Sequence, residues 1–306
     1  MIIEPDKTKS QGENNNYLPY WMEAEKSPQP RYVRGVKIID FSTFGKKVYT
    51  QDDSFVQELV RSLYAGDCYI LRNAFSHAFF QRIKRDLCEW WKQENPLFHK
   101  MVEGVPNHHR IIDEAAAGKY GLESIRHSHF FFPFNTDPFK VFDEINPVWQ
   151  VIKFLGGFSK TEYEKNTPKD GVIDRIHFIH YPAGTGRMQT HSDPYLNQRV
   201  FTGGIMTKRG KDYQKGGVYL VNERHQKVDV EPLFEIGDFY IAYPTLYHGV
   251  DLVDEECAPD WTSANGRWFL GLYSNDSDMV EKRHTVDRVT IPLKEGEKVI
   301  PKPTFI

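Results

Sequence analysis

The sequence predicts a mainly β domain whose strands form a sandwich or a barrel, with helices covering one outer face. From about residue 173 onward, short runs rich in β-branched and aromatic residues are separated by Gly, Pro, Asn and charged turns. Before that point, apolar residues recur at helical spacing. With 306 residues, of which 40% are hydrophobic and 14% aromatic, the chain can bury a large core. We therefore treat residues 1–306 as a single domain.

The first 160 residues divide into an arm and a helix-rich layer. Residues 1–36 are polar and contain prolines, which predicts an extended arm over the surface, docked in part through its aromatic side chains. Residues 37–160 form the helix-rich layer. Three helices are predicted there: Asp52–Tyr64, a second helix capped by Ser76, and Phe139–Leu155 with an interruption near Pro147. One short buried strand, Cys68–Leu71, lies between the first two helices.

Residues 173–275 hold the β-rich core. The strands predicted there, together with one earlier strand, are Ile173–Tyr181, Arg199–Met206, Val218–Asn222, Lys227–Val230, Phe239–Tyr243, His248–Val253, Arg267–Tyr273 and the earlier His127–Phe132. No internal repeat interrupts this succession. The regular spacing favours one continuous β architecture over two small domains.

Composition excludes several classes of partner. A net charge of -3 with interspersed signs gives no electrostatic footprint for nucleic acid or for an anionic membrane. No window reaches membrane-spanning length, and the N-terminus lacks the apolar run of a secretory peptide. Three cysteines without metal-type spacing fit a reduced compartment. The expectation is a cytoplasmic protein that acts on a small molecule, with its oligomeric state left open.

One motif carries a specific chemistry. His191-Ser192-Asp193 is the only His-x-Asp of the chain, and His248 follows on a second predicted strand. Side chains alternate along a strand, so His191 and Asp193 face the same way and can hold one ion. Two imidazoles and a carboxylate leave half of a coordination sphere open, as a non-haem iron(II) centre requires. The alternative is a surface turn in which Asp193 caps or pairs locally.

The motif has a wider setting that resembles a known family. The matching positions are Tyr181-Pro-x-Gly-x-Gly, His191-x-Asp193, Gly216-Gly217, Gly237-Asp238, His248 and Gly266-Arg267. They resemble the 2-oxoglutarate- and iron(II)-dependent dioxygenases, in particular the prolyl-hydroxylase-like and phytanoyl-hydroxylase-like branches. The resemblance implies a double-stranded β-helix (a jelly roll) with an N-terminal helical layer packed on one face. It also implies that His191, Asp193 and His248 bind Fe(II), and that 2-oxoglutarate and O2 are cosubstrates.

The cosubstrate needs a fixed cation for its distal carboxylate. Arg267 is the only arginine in the apolar strand 267–273, where an unpaired charge would be costly. The resemblance gives it this role, although the interval from His248 is longer than usual because of the insert 254–265. Tyr181 is expected to touch the cosubstrate, with a backbone-satisfied core tyrosine as the alternative. For Arg267 the alternative is a strand-edge salt bridge to a solvent-facing acid.

Two further residues are candidates for contacts with the substrate. Arg187 lies on a glycine loop before the first ligand and could bind a carboxylate or phosphate, although a solvated arginine is the alternative. His129 shares one strand face with His127, and a second metal is the alternative use of this pair. Because no third ligand lies nearby in the sequence, packing in the core or pocket is favoured. The segment His108-His109-Arg110 is expected to be a loop.

The predicted function is hydroxylation of an unactivated C–H bond in a small metabolite or natural-product intermediate, coupled to decarboxylation of 2-oxoglutarate. The presence of the Asp193 carboxylate favours hydroxylation over halogenation, because related halogenases replace this ligand with a small residue. Desaturation or ring formation stays open. Two alternatives are a hydroxylase of a protein or peptide residue, and a metal-binding β-barrel that has lost catalysis and acts as a sensor.

Overall fold

The structure is a computed structural model that describes residues 15–96, 104–118, 122–284, 286–294, 296 and 298–306. Its helices are Tyr17–Ala24 (α1), Phe41–Thr50 (α2), Asp53–Tyr64 (α3), His77–Gln93 (α4), Glu114–Ala117 (α5) and Phe142–Leu155 (α6). None of these helices is long and apolar enough to cross a membrane.

The strands make up most of the regular structure. In chain order they are Gly35–Asp40 (β1), Asp67–Arg72 (β2), His108–Ile112 (β3), Ser124–Phe131 (β4), Val172–Pro182 (β5), Arg187–Ser192 (β6), Phe201–Ile205 (β7), Gly217–Val221 (β8), Lys227–Asp229 (β9), Phe239–Ala242 (β10), His248–Asp251 (β11), Gly266–Asp276 (β12), Asp287–Arg288 (β13) and Thr304–Phe305 (β14). Every strand predicted from the sequence is present, with ends that differ by up to three residues.

The strands follow one continuous path of hydrogen bonds. The order is β14-β1-β2-β10-β7-β12-β5-β4-β6-β11-β8-β9, with β3 on β4 and β13 on β6. Strand β4 joins the two layers, because residues 127–131 pair with β5 while Ser124 and Ile125 pair with β6. The molecule is thus mostly β with some helices, an arrangement consistent with a jelly roll.

Alternation along the strands divides the apolar side chains between two main cores. On β10, Phe239 and Ile241 face one core while Tyr240 and Ala242 face the other. The first core also contains the buried side chains of α1, α2, α3, α4 and α6. The second core lies between the two strand layers and surrounds the site described below.

Two predicted helix starts are confirmed by their caps. The Asp52 carboxylate accepts a hydrogen bond from the backbone N–H of Phe55 at 3.0 Å, and the Ser76 hydroxyl accepts one from Phe79 at 3.1 Å. Each side chain satisfies a donor that the first turn of a helix leaves without a partner. The sequence did not predict β1 and α2, which follow each other directly at Asp40.

Three local predictions were wrong. Residues 17–24 form helix α1 and not an extended arm, because Tyr17 and Trp21 lie one turn apart and are both buried; residues 1–14 lie outside the described residues. His108–Ile112 is strand β3 and not a loop, since it pairs with β4 along its length. Helix α6 begins at Phe142 and continues through Pro147 without interruption.

Candidate active site

The three predicted ligands converge. His191 on β6 and His248 on β11 are direct partners in the antiparallel register, and their ring centroids are 4.1 Å apart. Asp193 lies one residue beyond β6, where its backbone N–H donates to the carbonyl of Pro244 at 3.0 Å. Its Oδ2 is 3.3 Å from His248 Nε2. One ligand atom from each of the three residues lies within 4.8 Å of the others, and all three residues are buried.

The backbone fixes which imidazole nitrogen faces the centre of this triad. His191 Nδ1 is 2.8 Å from the carbonyl oxygen of Gln189, and His248 Nδ1 is 2.8 Å from that of Leu246. A carbonyl oxygen only accepts, so each Nδ1 carries the hydrogen and each Nε2 keeps its lone pair. This arrangement orients and tunes metal-binding histidines.

The protonation states also suit a cation. Burial, reinforced by the neighbouring His248, lowers the pKa of His191 to about 3. Burial alone would raise the pKa of Asp193, but the neighbouring side chains, first His248 and then His191 and Arg175, outweigh it and hold this pKa below its usual value. A neutral imidazole and an ionised carboxylate are the forms that bind metal. The donor set therefore fits a divalent ion such as Fe(II) with open positions.

The triad lies at one side of a narrow cavity between the strand layers. The residues that line it are Arg126, Arg175, His177, Ile179, Tyr181, Met188, His191, Asp193, Phe201, Val218, Tyr240, His248, Val250, Arg267, Phe269, Tyr273 and Val286. The lining residues that belong to β5 and to β12 all occupy alternate positions of their strand, so each strand presents one face to the cavity. Apart from the triad, the polar side chains are mainly arginines and tyrosines.

Arg267 lies inside this cavity, next to Tyr181 in the register between β12 and β5. Its Nε donates to Glu231 Oε1 at 2.9 Å, and both residues are about 2% exposed. Although burial lowers the pKa of this guanidinium, the Glu231 carboxylate raises it by more. The alternative of a strand-edge arginine paired with a solvent-facing acid therefore does not describe Arg267.

Sequence reasoning missed Glu231, which positions the guanidinium. The Glu231 carboxylate accepts hydrogen bonds from the Tyr213 hydroxyl and from the backbone N–H of Val218, the latter at 2.7 Å. A Cβ at position 217 would lie 2.7 Å from the carboxyl carbon, so Gly217 makes room for this approach. The signal in the sequence was weak, because Glu231 lies in a short stretch, residues 228–234, that is apolar apart from Asp229 and Glu231.

The Arg267 guanidinium has a hydrogen-bond donor group, Nη2, that its contact with Glu231 through Nε does not use. Within the described residues, the buried Nη2 has no hydrogen-bond partner. The guanidinium carbon lies 5.1 Å from the centroid of the Phe269 ring and 5.9 Å from that of Tyr181. A buried donor without a partner is costly, and an anionic ligand in the cavity would satisfy it. The Tyr181 hydroxyl faces Met188 Sδ at 3.6 Å, on the same side of the cavity.

Two candidate substrate residues lie away from the cavity. Arg187 Nε pairs with Glu123 Oε1 at 2.8 Å and lines a separate surface depression with Glu114 and Arg288. His129 lies on the other face of β4, packed against the indole rings of Trp91 and Trp268. Side-chain alternation explains this second placement, because residue 126 faces the cavity and residue 129 therefore cannot.

The cavity has polar residues that the sequence analysis overlooked. Arg175 and His177 share a strand face with Tyr181, so period-two alternation from Tyr181 would have placed them there. Arg126 Nη1 is 3.4 Å from Met188 Sδ, and its buried Nε has no hydrogen-bond partner within the described residues. Arg175 lies over the ring of Tyr273 at 4.8 Å.

The chain is similar in structure to solved proteins that are described as hydroxylases or 2OG-Fe(II) oxygenases. A prolyl-4-hydroxylase from Pseudomonas putida matches 68% of this chain and 91% of its own, at 13% identity and a TM-score of 0.40. A 2OG-Fe(II) oxygenase family protein from Caulobacter crescentus matches 82% and 95%, at 12% identity and a TM-score of 0.45. A full-length Neurospora crassa protein, crystallised in complex with alpha-KG and thymine, matches 79% and 86%, at 13% identity and a TM-score of 0.44.

No family model and no curated protein matches the sequence. At these low identities and TM-scores, the chemistry of this chain has to be inferred from its own residues.

Proposed function

We propose that this protein is an iron(II)- and 2-oxoglutarate-dependent oxygenase that hydroxylates a small substrate. The observation that carries the proposal is the presence, in one buried cavity, of the triad His191, Asp193 and His248 together with the Arg267 guanidinium, whose Nη2 lacks a partner within the described residues. A metal-binding triad alone would also fit a sensor. A buried cation facing the same space adds a site for a carboxylate.

Each part of the cavity has a separate task. The triad holds iron(II), which together with 2-oxoglutarate supplies the oxidising chemistry when both are bound. Arg267 binds the distal carboxylate of 2-oxoglutarate, and Glu231 holds the guanidinium in position through Nε. The aromatic walls from Phe201, Tyr240 and Phe269 exclude water from this space.

We further propose that the layers have the arrangement expected from the sequence. The strands form a double-stranded β-helix, and α1, α2, α3, α4 and α6 are its helical layer. Support comes from the apolar residues of these helices, which share one core with a face of β2, β5, β10 and β12.

The substrate is a small metabolite that carries an anionic group. Arg126 and Arg175 line the cavity beside the triad and lie within electrostatic reach of it, since Arg126 lowers the pKa of His191 and Arg175 that of Asp193, as minor contributions. Arg267 is already assigned to the cosubstrate, and the two guanidinium groups that line the cavity beside the triad can orient a carboxylate or phosphate on the substrate. The narrow cavity favours a small molecule over a folded protein segment.

An anaerobic titration tests the proposal. Iron(II) and 2-oxoglutarate added to the protein should give the weak visible charge-transfer band of the chelate. Asp193→Ala should abolish the band, and Arg187→Gln, which lies outside the cavity, should leave it unchanged. Well-folded protein with an unchanged spectrum would contradict the assignment. Metabolite extracts that stimulate succinate release, with one oxygen added to a component, would then identify the substrate.

A further inference from the structure

A second cluster of histidines lies on the opposite face of the sheet from the cavity. His109 on β3 is the register partner of His129 on β4, and His127 shares the face of His129. One nitrogen from each of the three imidazoles lies within 4.8 Å of the other two, the same limit that the triad of the active site meets. All three residues are buried. Strand β3 therefore supplies the third ligand, which lies far from His127 and His129 in the sequence.

The hydrogen bonds of this cluster leave lone pairs in the shared space. His109 Nε2 is 2.6 Å from the carbonyl oxygen of Glu94, so Nε2 carries the hydrogen and Nδ1 keeps its lone pair. His129 Nδ1 is 3.4 Å from the carbonyl of Phe178, and His129 Nε2 is buried without a partner within the described residues. The same pattern of one nitrogen on a carbonyl occurs at His191 and His248.

His127 completes the group. Its Nε2 lies 2.9 Å from His109 Nδ1, and its Nδ1 is buried with no partner within the described part of the chain. Two imidazole nitrogens this close share one proton or bind one cation. Burial lowers the pKa of His109, His127 and His129, so the neutral, metal-binding form of each imidazole is favoured.

The surroundings favour a cation. The cluster lies at the C-terminal end of α4, a 17-residue helix whose dipole places partial negative charge at this end. The indole ring of Trp91 stacks on His127 at 4.3 Å and on His129 at 5.4 Å. These rings hold the imidazole planes in place and shield them from water.

We propose that His109, His127 and His129 form a second metal site, for a divalent transition ion of the zinc type. Imidazoles are ligands that suit zinc, nickel and copper. For tetrahedral zinc with bonds of about 2.0–2.1 Å, ligand nitrogens lie roughly 3.3 Å apart, so small side-chain shifts would complete the coordination. The ion would tie the end of α4 to β3 and β4. This site is independent of the oxygenase chemistry in the cavity.

Zinc binding to the full chain tests this assignment. Chelator-stripped protein is dialysed against micromolar zinc, and bound metal is measured by mass spectrometry. Wild type is expected to hold two equivalents, and the variant Asp193→Ala/His248→Ala one. In that background, His127→Gln/His129→Asn should bind none, whereas His77→Gln, at an exposed histidine of α4, should still bind one.

Two results would overturn the site. One is a complete loss of zinc from the Asp193→Ala/His248→Ala protein, and the other is retention of that equivalent by a folded His127→Gln/His129→Asn variant. If the latter variant does not fold, wild-type crystals soaked in zinc give a second measurement. Anomalous scattering at the zinc edge should show a peak among the three imidazoles, and a map without this peak refutes the proposal.

Discussion

The Arg267 guanidinium provides the sharpest test of the cavity. Replacing Arg267 alone would strand the Glu231 carboxylate in a buried position, which costs about 3–5 kcal/mol of stability and obscures any effect on binding. We therefore compare the double variant Arg267→Met/Glu231→Gln with the single variant Glu231→Gln. The single variant keeps the guanidinium and an oxygen that accepts from its Nε, but it leaves this buried cation without its counter-ion, so the melting temperature of each variant is measured alongside. The double variant removes the cation without leaving a buried charge.

The expected loss follows from the donors that remain on Nη2. A hydrogen bond to a charged group contributes about 1.5–3 kcal/mol, and one or two such bonds to a carboxylate give about 3 kcal/mol, or roughly a hundredfold in affinity. Binding of 2-oxoglutarate to the double variant should weaken by this factor. Glu231→Gln alone should bind 2-oxoglutarate as tightly as wild type or more tightly, because it removes a neighbouring negative charge.

Calorimetry under anaerobic conditions, with the metal site saturated by iron(II), measures both affinities. The affinity for the metal in the absence of 2-oxoglutarate serves as the internal control, since neither residue belongs to the triad. If the two variants bind 2-oxoglutarate equally well within about a factor of two, Arg267 does not hold the cosubstrate, and the argument from its unpaired Nη2 is wrong.

Three further outcomes are expected. Asp193→Asn should abolish 2-oxoglutarate-dependent succinate release, while the melting temperature of the metal-free protein changes little. Succinate release by the folded variant would exclude the Asp193 carboxylate as a metal ligand. Arg126→Gln and Arg175→Gln should each raise the KM for the substrate at least about tenfold, as expected for a lost charge-assisted contact. Arg187→Gln is the control, and its KM should not change. Equal KM values in all three variants would contradict the proposal that the substrate carries an anionic group. Gly203→Ala should lower the free energy of unfolding by about 1–3 kcal/mol, since the added Cβ would lie 2.2 Å from a ring carbon of Tyr240 on the neighbouring strand β10. Denaturant unfolding measures this change, and an unchanged midpoint would contradict the packing described.

Local patterns predicted the elements well where one periodicity dominated. The caps Asp52 and Ser76 and the apolar stripes behind them defined two helices, because a helix start depends on residues within one turn. The short strands of residues 173–275 were equally accessible. Helix α1 was missed, since its two buried aromatic residues are too few to form a clear period in a polar segment.

The metal triad could be predicted because part of its geometry is local. His191 and Asp193 are two residues apart, and strand alternation alone places them on one side. Their approach to His248 depended on a strand pairing that the motif suggested and the structure shows.

The sequence by itself determined the mainly β class, the helix starts and the residue types of the metal triad, because these depend on neighbours within a few positions. Only the tertiary structure decided that Glu231 holds Arg267, that Arg126 lines the cavity of the triad, and that His109 joins His127 and His129. These contacts join strands whose partners and register are set by packing across the whole sheet. A shift of one residue in register would reverse which side chains meet, and no local pattern encodes that choice.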